Sequence, residues 1–380
     1  MRPVVRHVLC LMTPWAVLAL LGLTGATAPA GAADGAGHGT RRPVTVYVAS
    51  SVSGNVTAIR VGHTAGRTIN THGAHCLAAT PNGRTVYVST ADGVVPVSTA
   101  TNKAGRAFQG GGPDLLVGPS GKTLYGVGFD GSVTFVRVAT NKPEKTINTG
   151  VSPDGLANIA ITPNGRTLYL ADSLGDTVIP VNTATHTVGA PITVAADPNA
   201  IAITPNGKTL YVASGSSGSG AVTPVNTATN TAGPAISVPL DPEALLITPN
   251  GKTVYVASSG SLTPVSTATN TAGQPIPGVG VYGLGLAMAI TPNGNTLLVA
   301  TGSHSVTPVN TATNTPGQPI HVRAGPTQIA ITPNGKTAYV LNFGTGDVFG
   351  HTVTPIQIAT LRAGRPISVG LAPIDLVVTR

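Results

Sequence analysis

The sequence is poor in the residues on which much protein chemistry rests. Two cysteines and one tryptophan occur in 380 residues, charged residues make up 9% and aromatics 4%. So few charges, with 41% apolar residues, exclude a disordered polyelectrolyte. Cys10 and Trp15 fall in an N-terminal segment that reads as an export signal. That segment has Arg2 and Arg6 as its basic end, Val8 to Leu23 as its apolar run and a small-residue site around Ala28-Pro29-Ala30 or Ala30-Gly31-Ala32. Its removal leaves Cys76 alone, so the mature chain is expected to hold by packing and not by an intrachain disulfide. No second long apolar run follows, so no membrane span is expected after cleavage.

Metal and nucleophile signatures are also missing. The sequence contains no His-Glu-x-x-His, Gly-x-Ser-x-Gly or Asp-rich calcium loop. His72, His75 and Cys76 form one local metal-like group, without the second ligand pair of a closed zinc site. Gly-Lys-Thr recurs at Gly121, Gly207, Gly251 and Gly335, but Leu116, Ala202, Leu246 and Ala330 stand where a phosphate loop needs its first glycine. These segments read as hairpin turns. No cofactor is expected.

What is abundant is glycine (48) and proline (32), set in a repeat. Ile203-Thr-Pro-Asn-Gly-Lys-Thr-Leu-Tyr-Val-Ala-Ser214 returns almost unchanged from Ile247 to Ser258, with weaker copies from Ala79, Ile161, Ile290 and Ile331. Each unit divides into a short apolar strand A, a Pro-Asn-Gly turn, an alternating strand B, a strand C such as Val222 to Asn226, a Thr-Ala-Thr-Asn turn and a brief strand D. Strand B is marked by Tyr47, Tyr87, Tyr125, Tyr169, Tyr211, Tyr255, Leu297 and Tyr339. The chain enters on a strand B and leaves on a strand A, Ile374 to Thr379. The reading is therefore an all-β, closed β-propeller of four-stranded blades, its C-terminal strand completing the N-terminal blade. Eight blades follow from the repeat count, with seven the alternative. Residues 1–33 are read as a signal peptide, 34–43 as a flexible segment and 44–380 as the propeller. Six strand C copies carry proline (Pro96, Pro180, Pro224, Pro264, Pro308, Pro355), which predicts a short strand D that leaves that position without a ladder partner.

The repeat Ile-Thr-Pro-Asn-Gly-Lys-Thr-Leu-Tyr-Val-Ala-Ser resembles the YVTN-type β-propeller repeat over nearly all of the mature chain, although the literal Tyr-Val-Thr-Asn is absent. The resemblance implies a secreted or cell-surface location and, in most members, no established activity. It also admits nucleic-acid binding or a place in cell-surface layers. The similar lactonase and lyase propellers keep an enzymatic alternative open, a hydrolase or lyase with its site at the channel mouth.

Charge distributes with the strand register. Arg84, Lys122, Arg166, Lys208, Lys252 and Lys336 follow A–B turns, while most acids fall in the B–C and D–A loops, which vary between repeats. The candidate ligand-binding residues on that variable face are Asp114, Asp154, Asp197, Asp241, Glu243 and Asp375. The expectation is an extracellular, non-catalytic binding or scaffold module of the cell envelope. An anionic envelope polymer is the expected partner of the basic face, and a cation or basic ligand that of the acidic channel mouth. With tyrosine committed to the blades and no tryptophan in the mature chain, stacking platforms are scarce and sequence-specific nucleic acid is not expected.

Overall fold

A computed structural model describes residues 43–152, 155–216, 218–280, 287–301, 304–345 and 348–379. Residues 1–42, Cys10 among them, Asp154 and Tyr282 lie outside the described residues. The protein is a ring of eight antiparallel sheets with strand order A-B-C-D from the channel outward. In blade 5 these strands are Pro198–Ile203, Thr209–Ser216, Ser219–Asn226 and a divided D strand, Thr231–Ala232 with Ile236–Val238. Blade 1 closes the ring as expected. Its strands B, C and D are Thr45–Ser50, Asn55–Arg60 and Arg67–Asn70, and its strand A is the C-terminal segment Pro373–Thr379. Val46 faces Val378 and Tyr47 faces Val377 across that junction.

Each sheet is apolar on both faces because each face packs on another blade. Alternation along strand B sends Val46 and Val48 toward blade 8 and Tyr47 and Ala49 toward blade 2. The core is accordingly divided into eight clusters, one at every blade junction, including the 8–1 junction of Val46, Val48, Ala330, Tyr339 and Leu341. Burial of both faces explains why the central strands read as nearly continuous apolar runs.

The Thr-Pro-Asn-Gly signature makes a self-contained turn. In blade 5 the Thr204 hydroxyl donates to Asn206 Oδ1 at 2.7 Å and accepts the Thr209 N–H at 3.1 Å. Asn206 Oδ1 also accepts the Lys208 N–H at 2.9 Å. Gly207 takes φ +72°, and a Cβ there would sit 3.2 Å from Pro163 Cδ in the equivalent turn of blade 4. The A–B turns therefore touch one another around the ring.

The strand C prolines act as predicted, with a refinement. Strand D breaks into two short pieces flanking the proline, and the chain skirts it between them. The proline carbonyl is still used: Gly233 N–H donates to Pro224 O at 2.7 Å, as Gly105, Gly189, Gly273, Gly317 and Gly364 do to their own prolines. A Cβ at these glycines would lie 3.0–3.4 Å from the proline Cγ, which accounts for glycine at that place in every such blade.

The tyrosines join the blades. Tyr211 Oη donates to Asn270 Oδ1 at 2.7 Å, from strand B of blade 5 to the C–D turn of blade 6. Tyr47–Asn102, Tyr87–Asn141, Tyr169–Asn230 and Tyr255–Asn314 repeat the contact at 2.6–2.8 Å. These asparagines sit at φ 52–56°, in the left-handed region that Asn tolerates. One residue type thus serves both the turn and the junction. The register of strand B differs in blade 7 from the sequence reading: Leu298, not Leu297, opposes the proline as tyrosine does elsewhere. The matching turn position in blade 8 is Leu361, also at positive φ (51°), so the polar pair is absent from both partners together. Burial pushes the Tyr87 and Tyr169 hydroxyls up to about 12, so they stay protonated donors over the ordinary pH range.

Cys76 is buried at the junction of blades 2 and 3. The only other cysteine in the sequence, Cys10, lies outside the described residues. The expectation of a disulfide-free chain concerns the form lacking residues 1–33.

Two outcomes follow from this architecture. Tyr255→Phe removes one interblade hydrogen bond and should cost about 1 kcal/mol in denaturant unfolding. Deleting Pro373 to Arg380 strips strand A from blade 1 and exposes an unpaired edge in the ring. It should lower the melting temperature far more than Tyr255→Phe, and an unchanged value would contradict the closure.

Candidate functional site

The two faces are chemically distinct. Strand A of blade 5 starts just after Asp197 and ends just before the turn that carries Lys208. Those two residues therefore lie at opposite ends of a six-residue strand, roughly 20 Å apart. The C–D turns share the Lys208 face, because Thr227 Oγ1 donates to Gly207 O, and Thr99, Thr183, Thr267 and Thr311 make the same bond to their own A–B turns. Arg84, Lys122, Arg166, Lys208, Lys252 and Lys336 are all exposed on this face. Asn295 holds the equivalent place in blade 7.

On the other face the acids divide by role. Asp197 and Asp241 precede Pro198 and Pro242 with φ 57° and 52°. Ala372 and Gly325 take the same left-handed conformation before Pro373 and Pro326, so the position is first a turn position. The Asp197 N–H donates to Asp176 Oδ1 at 2.8 Å. Asp172 accepts from the Ser152 N–H and hydroxyl, both at 3.0 Å, and from the Gly175 N–H. Asp130 accepts the Ser132 N–H, and hydrogen bonding from the Ser132 side chain and then from that N–H lowers its carboxyl. Several loop acids are thus engaged in shaping their own loops.

Asp114, Glu243 and Asp375 lie within strands A and not in the loops. Register places Asp375 opposite Ala49 and Asp114 opposite Val127, the same position in blades 1 and 3. Gln328 and Asn158 occupy it in blades 8 and 4, while Ala200 and Ala244 occupy it in blades 5 and 6. This strand A position is therefore polar in blades 8, 1, 3 and 4 and alanine in blades 5 and 6. This asymmetry cannot be seen in any single repeat, and it emerges only when strands A are aligned.

Asp375 is the most constrained of these groups. It is 3% exposed, and its Oδ2 accepts the Leu77 N–H of blade 2 at 2.6 Å. Its Oδ1 accepts Gln328 Nε2 of blade 8 at 2.7 Å. One carboxyl thus ties three inner strands across the ring closure. Burial pushes it up to about 7, against those hydrogen bonds, with the Asp114 charge adding to the rise. Glu243 is raised by burial and then by Asp241, and its Oε2 is buried without a hydrogen-bond partner. Four of the six candidate residues thus fall in two pairs, Asp114 with Asp375 in blades 3 and 1, and Asp241 with Glu243 at the start of blade 6. Among the described residues no group of three or more His, Cys, Asp or Glu is arranged to hold a metal ion, the His72, His75 and Cys76 segment included.

Comparison with known proteins adds the fold alone. No protein family description matches the chain, and no curated protein matches it in sequence. Among solved structures it is similar to hydrazine synthase of Kuenenia stuttgartiensis (21% identity, TM-score 0.59, covering 75% of this chain and 96% of that one). It is also similar to the dihydro-heme d1 dehydrogenase NirN (13%, 0.70, 87% and 74%). A third likeness is a functionally unknown protein of Desulfotomaculum acetoxidans (17%, 0.56, 72% and 94%).

The raised Asp375 carboxyl carries a pH dependence. The folded state holds this proton up to about pH 7, whereas the unfolded chain releases it near the ordinary value of 3.8. The contribution is complete below pH 4 and is lost as pH rises toward 7. Unfolding free energy should therefore fall between those limits, and Asp375→Asn should flatten the fall. An identical slope in the variant would show that another group is responsible.

Proposed function

We propose that the chain is an extracellular, non-catalytic binding or scaffold propeller of the cell envelope, engaging a linear anionic polymer through the face that carries the A–B turns. The supporting observation is the placement of exposed cations after the A–B turns of six of the eight blades, on turns that contact one another around one channel mouth. A ring of single charges at regular spacing attracts an extended polyanion without reading its sequence. The export signal and the resemblance to secreted propellers support the location.

The acidic mouth supports a cation or basic ligand as a further partner, through Asp241 and the half-buried Glu243. The enzymatic alternative, a lactonase-like hydrolase or lyase, rests on Asp114 and Asp375. Against it stands the engagement of both Asp375 oxygens in joining strands, which leaves that carboxyl tied to structure.

Fluorescence anisotropy with labelled poly-glutamate and heparin tests the reading. Both should bind weakly at low salt and dissociate steeply as salt rises. Lys208→Gln with Lys252→Gln should flatten the log–log salt slope by about one per cation removed. Binding that is indifferent to salt, or to this double variant, would overturn it.

A further inference from the structure

We infer that a tetrahedral oxyanion of the phosphate class seats in a cleft between blades 1 and 2, held between the guanidinium groups of Arg60 and Arg67. The inference deepens the polyanion reading by naming the group the polymer would present, and the cleft can be tested apart from it.

The cleft encloses about 570 Å³ and is lined by Arg60, His63 and Arg67 of blade 1 and by Thr99 and Asn102 of blade 2, among others, with no carboxylate in its wall. It arises where blade 1 departs from the repeat. In blade 5 the first piece of strand D, Thr231–Ala232, covers the last two residues of strand C. In blade 1 strand D starts later, at Arg67 opposite Ala58, so strand D leaves Ile59 and Arg60 uncovered. The connection turns at His63, whose N–H donates to Arg60 O at 3.0 Å, and lines the gap.

Register fixes where the two arginines point. Tyr47 opposes Ala58 on one face of the sheet, and the Tyr47 hydroxyl reaches Asn102 in blade 2, so this face looks toward blade 2. Arg67 opposes Ala58 and therefore leaves the same face. Arg60, two residues beyond Ala58 and opposite Thr45, does so as well. As a diagonal pair on neighbouring strands, their Cβ atoms are about 7 Å apart. Blade 3 shows what the repeat does elsewhere with this position. Arg137 opposes Thr123 as Arg60 opposes Thr45, and it is met by Glu144, with Nε to Oε1 at 2.6 Å. In blade 1 Arg67 stands where blade 3 has Lys145, and Gly66 stands where blade 3 has Glu144, so the acid that meets Arg137 has no counterpart there.

Two guanidinium groups at this spacing repel each other, and a bound anion relieves the repulsion. Each presents a planar fork of N–H donors that pairs with two oxygens. A carboxylate has oxygens for one fork, whereas a tetrahedral oxyanion can serve both. His63 and the Thr99–Asn102 turn close the remaining sides with shorter polar groups.

Calorimetric titration of the exported chain with pyrophosphate, with acetate as comparator, tests the site. Pyrophosphate should bind with 1:1 stoichiometry and acetate should give no heat. Arg60→Gln and Arg67→Gln should each weaken pyrophosphate binding at least tenfold, with unchanged melting temperatures because both side chains are exposed. Should either variant melt lower, Arg60→Lys with Arg67→Lys keeps the charge, loses the forks and should still weaken binding. Lys208→Gln with Lys252→Gln should leave pyrophosphate affinity unchanged. No binding by the wild type, or equal losses in the two sets of variants, would overturn the cleft. Poly-glutamate binding without pyrophosphate binding defeats the cleft and leaves the polymer reading standing, and the converse result separates them the other way. Long-chain polyphosphate that binds more tightly per phosphate than pyrophosphate marks a polymer as the source, and equal affinity marks a free phosphate compound.

Discussion

A four-stranded sheet with apolar side chains on both faces is insoluble by itself, and everything else in this molecule depends on how each blade covers its neighbour. The eight core clusters are eight junctions, not one centre. Closure is therefore a condition of burial. If the 8–1 junction opened, Val46, Val48 and Leu341 would meet water together. The C-terminal strand is where the chain meets this condition. Asp375 belongs to that strand, and its carboxyl reaches the inner strands on both sides, which places a buried ionisable group at the closing junction.

The tyrosine–asparagine bonds add direction to this packing. An apolar junction alone tolerates sliding, because side chains of similar size can exchange places. A hydroxyl that must reach one carbonyl oxygen in the next blade's turn fixes both the height and the rotation of that blade. The bond is small, and its position is what matters: it lies near the basic face, away from the channel. Among the described residues the opposite face has no equivalent repeated bond, and its loops differ between blades. Constancy on one face and variation on the other follow from a single device.

Much of this was legible in the sequence. The recurrence of Thr-Pro-Asn-Gly and the shared place of tyrosine established the blades, and the offset between first and last strands required closure. The strand C prolines announced a short strand D that leaves them without a ladder partner. Other features were out of reach because they depend on residues brought together from different repeats. Asn270 reads as a turn residue until Tyr211 is found against it. Asp375 and Asp114 read as loop acids until strand register puts them inside. Leu297 looked like the missing tyrosine because a run of two leucines hides the register, which the opposition of Leu298 to Pro308 resolves.

Regularity also explains where specificity can arise. Eight equal blades would present eight equal cations and eight equal turns, a surface able to attract but not to select. Selection needs a place where the repeat fails, and this chain fails in definite ways. Blade 7 replaces a turn cation with Asn295, blades 7 and 8 replace the tyrosine–asparagine pair with Leu298 and Leu361, and blade 1 delays its strand D. The last of these opens a volume and places two like charges in its wall. Blade 1 is also the blade assembled from both ends of the propeller, with strand A from Pro373–Thr379 and strands B to D from Thr45 to Asn70. The constraint that closes the ring and the irregularity that opens the cleft therefore fall in the same blade.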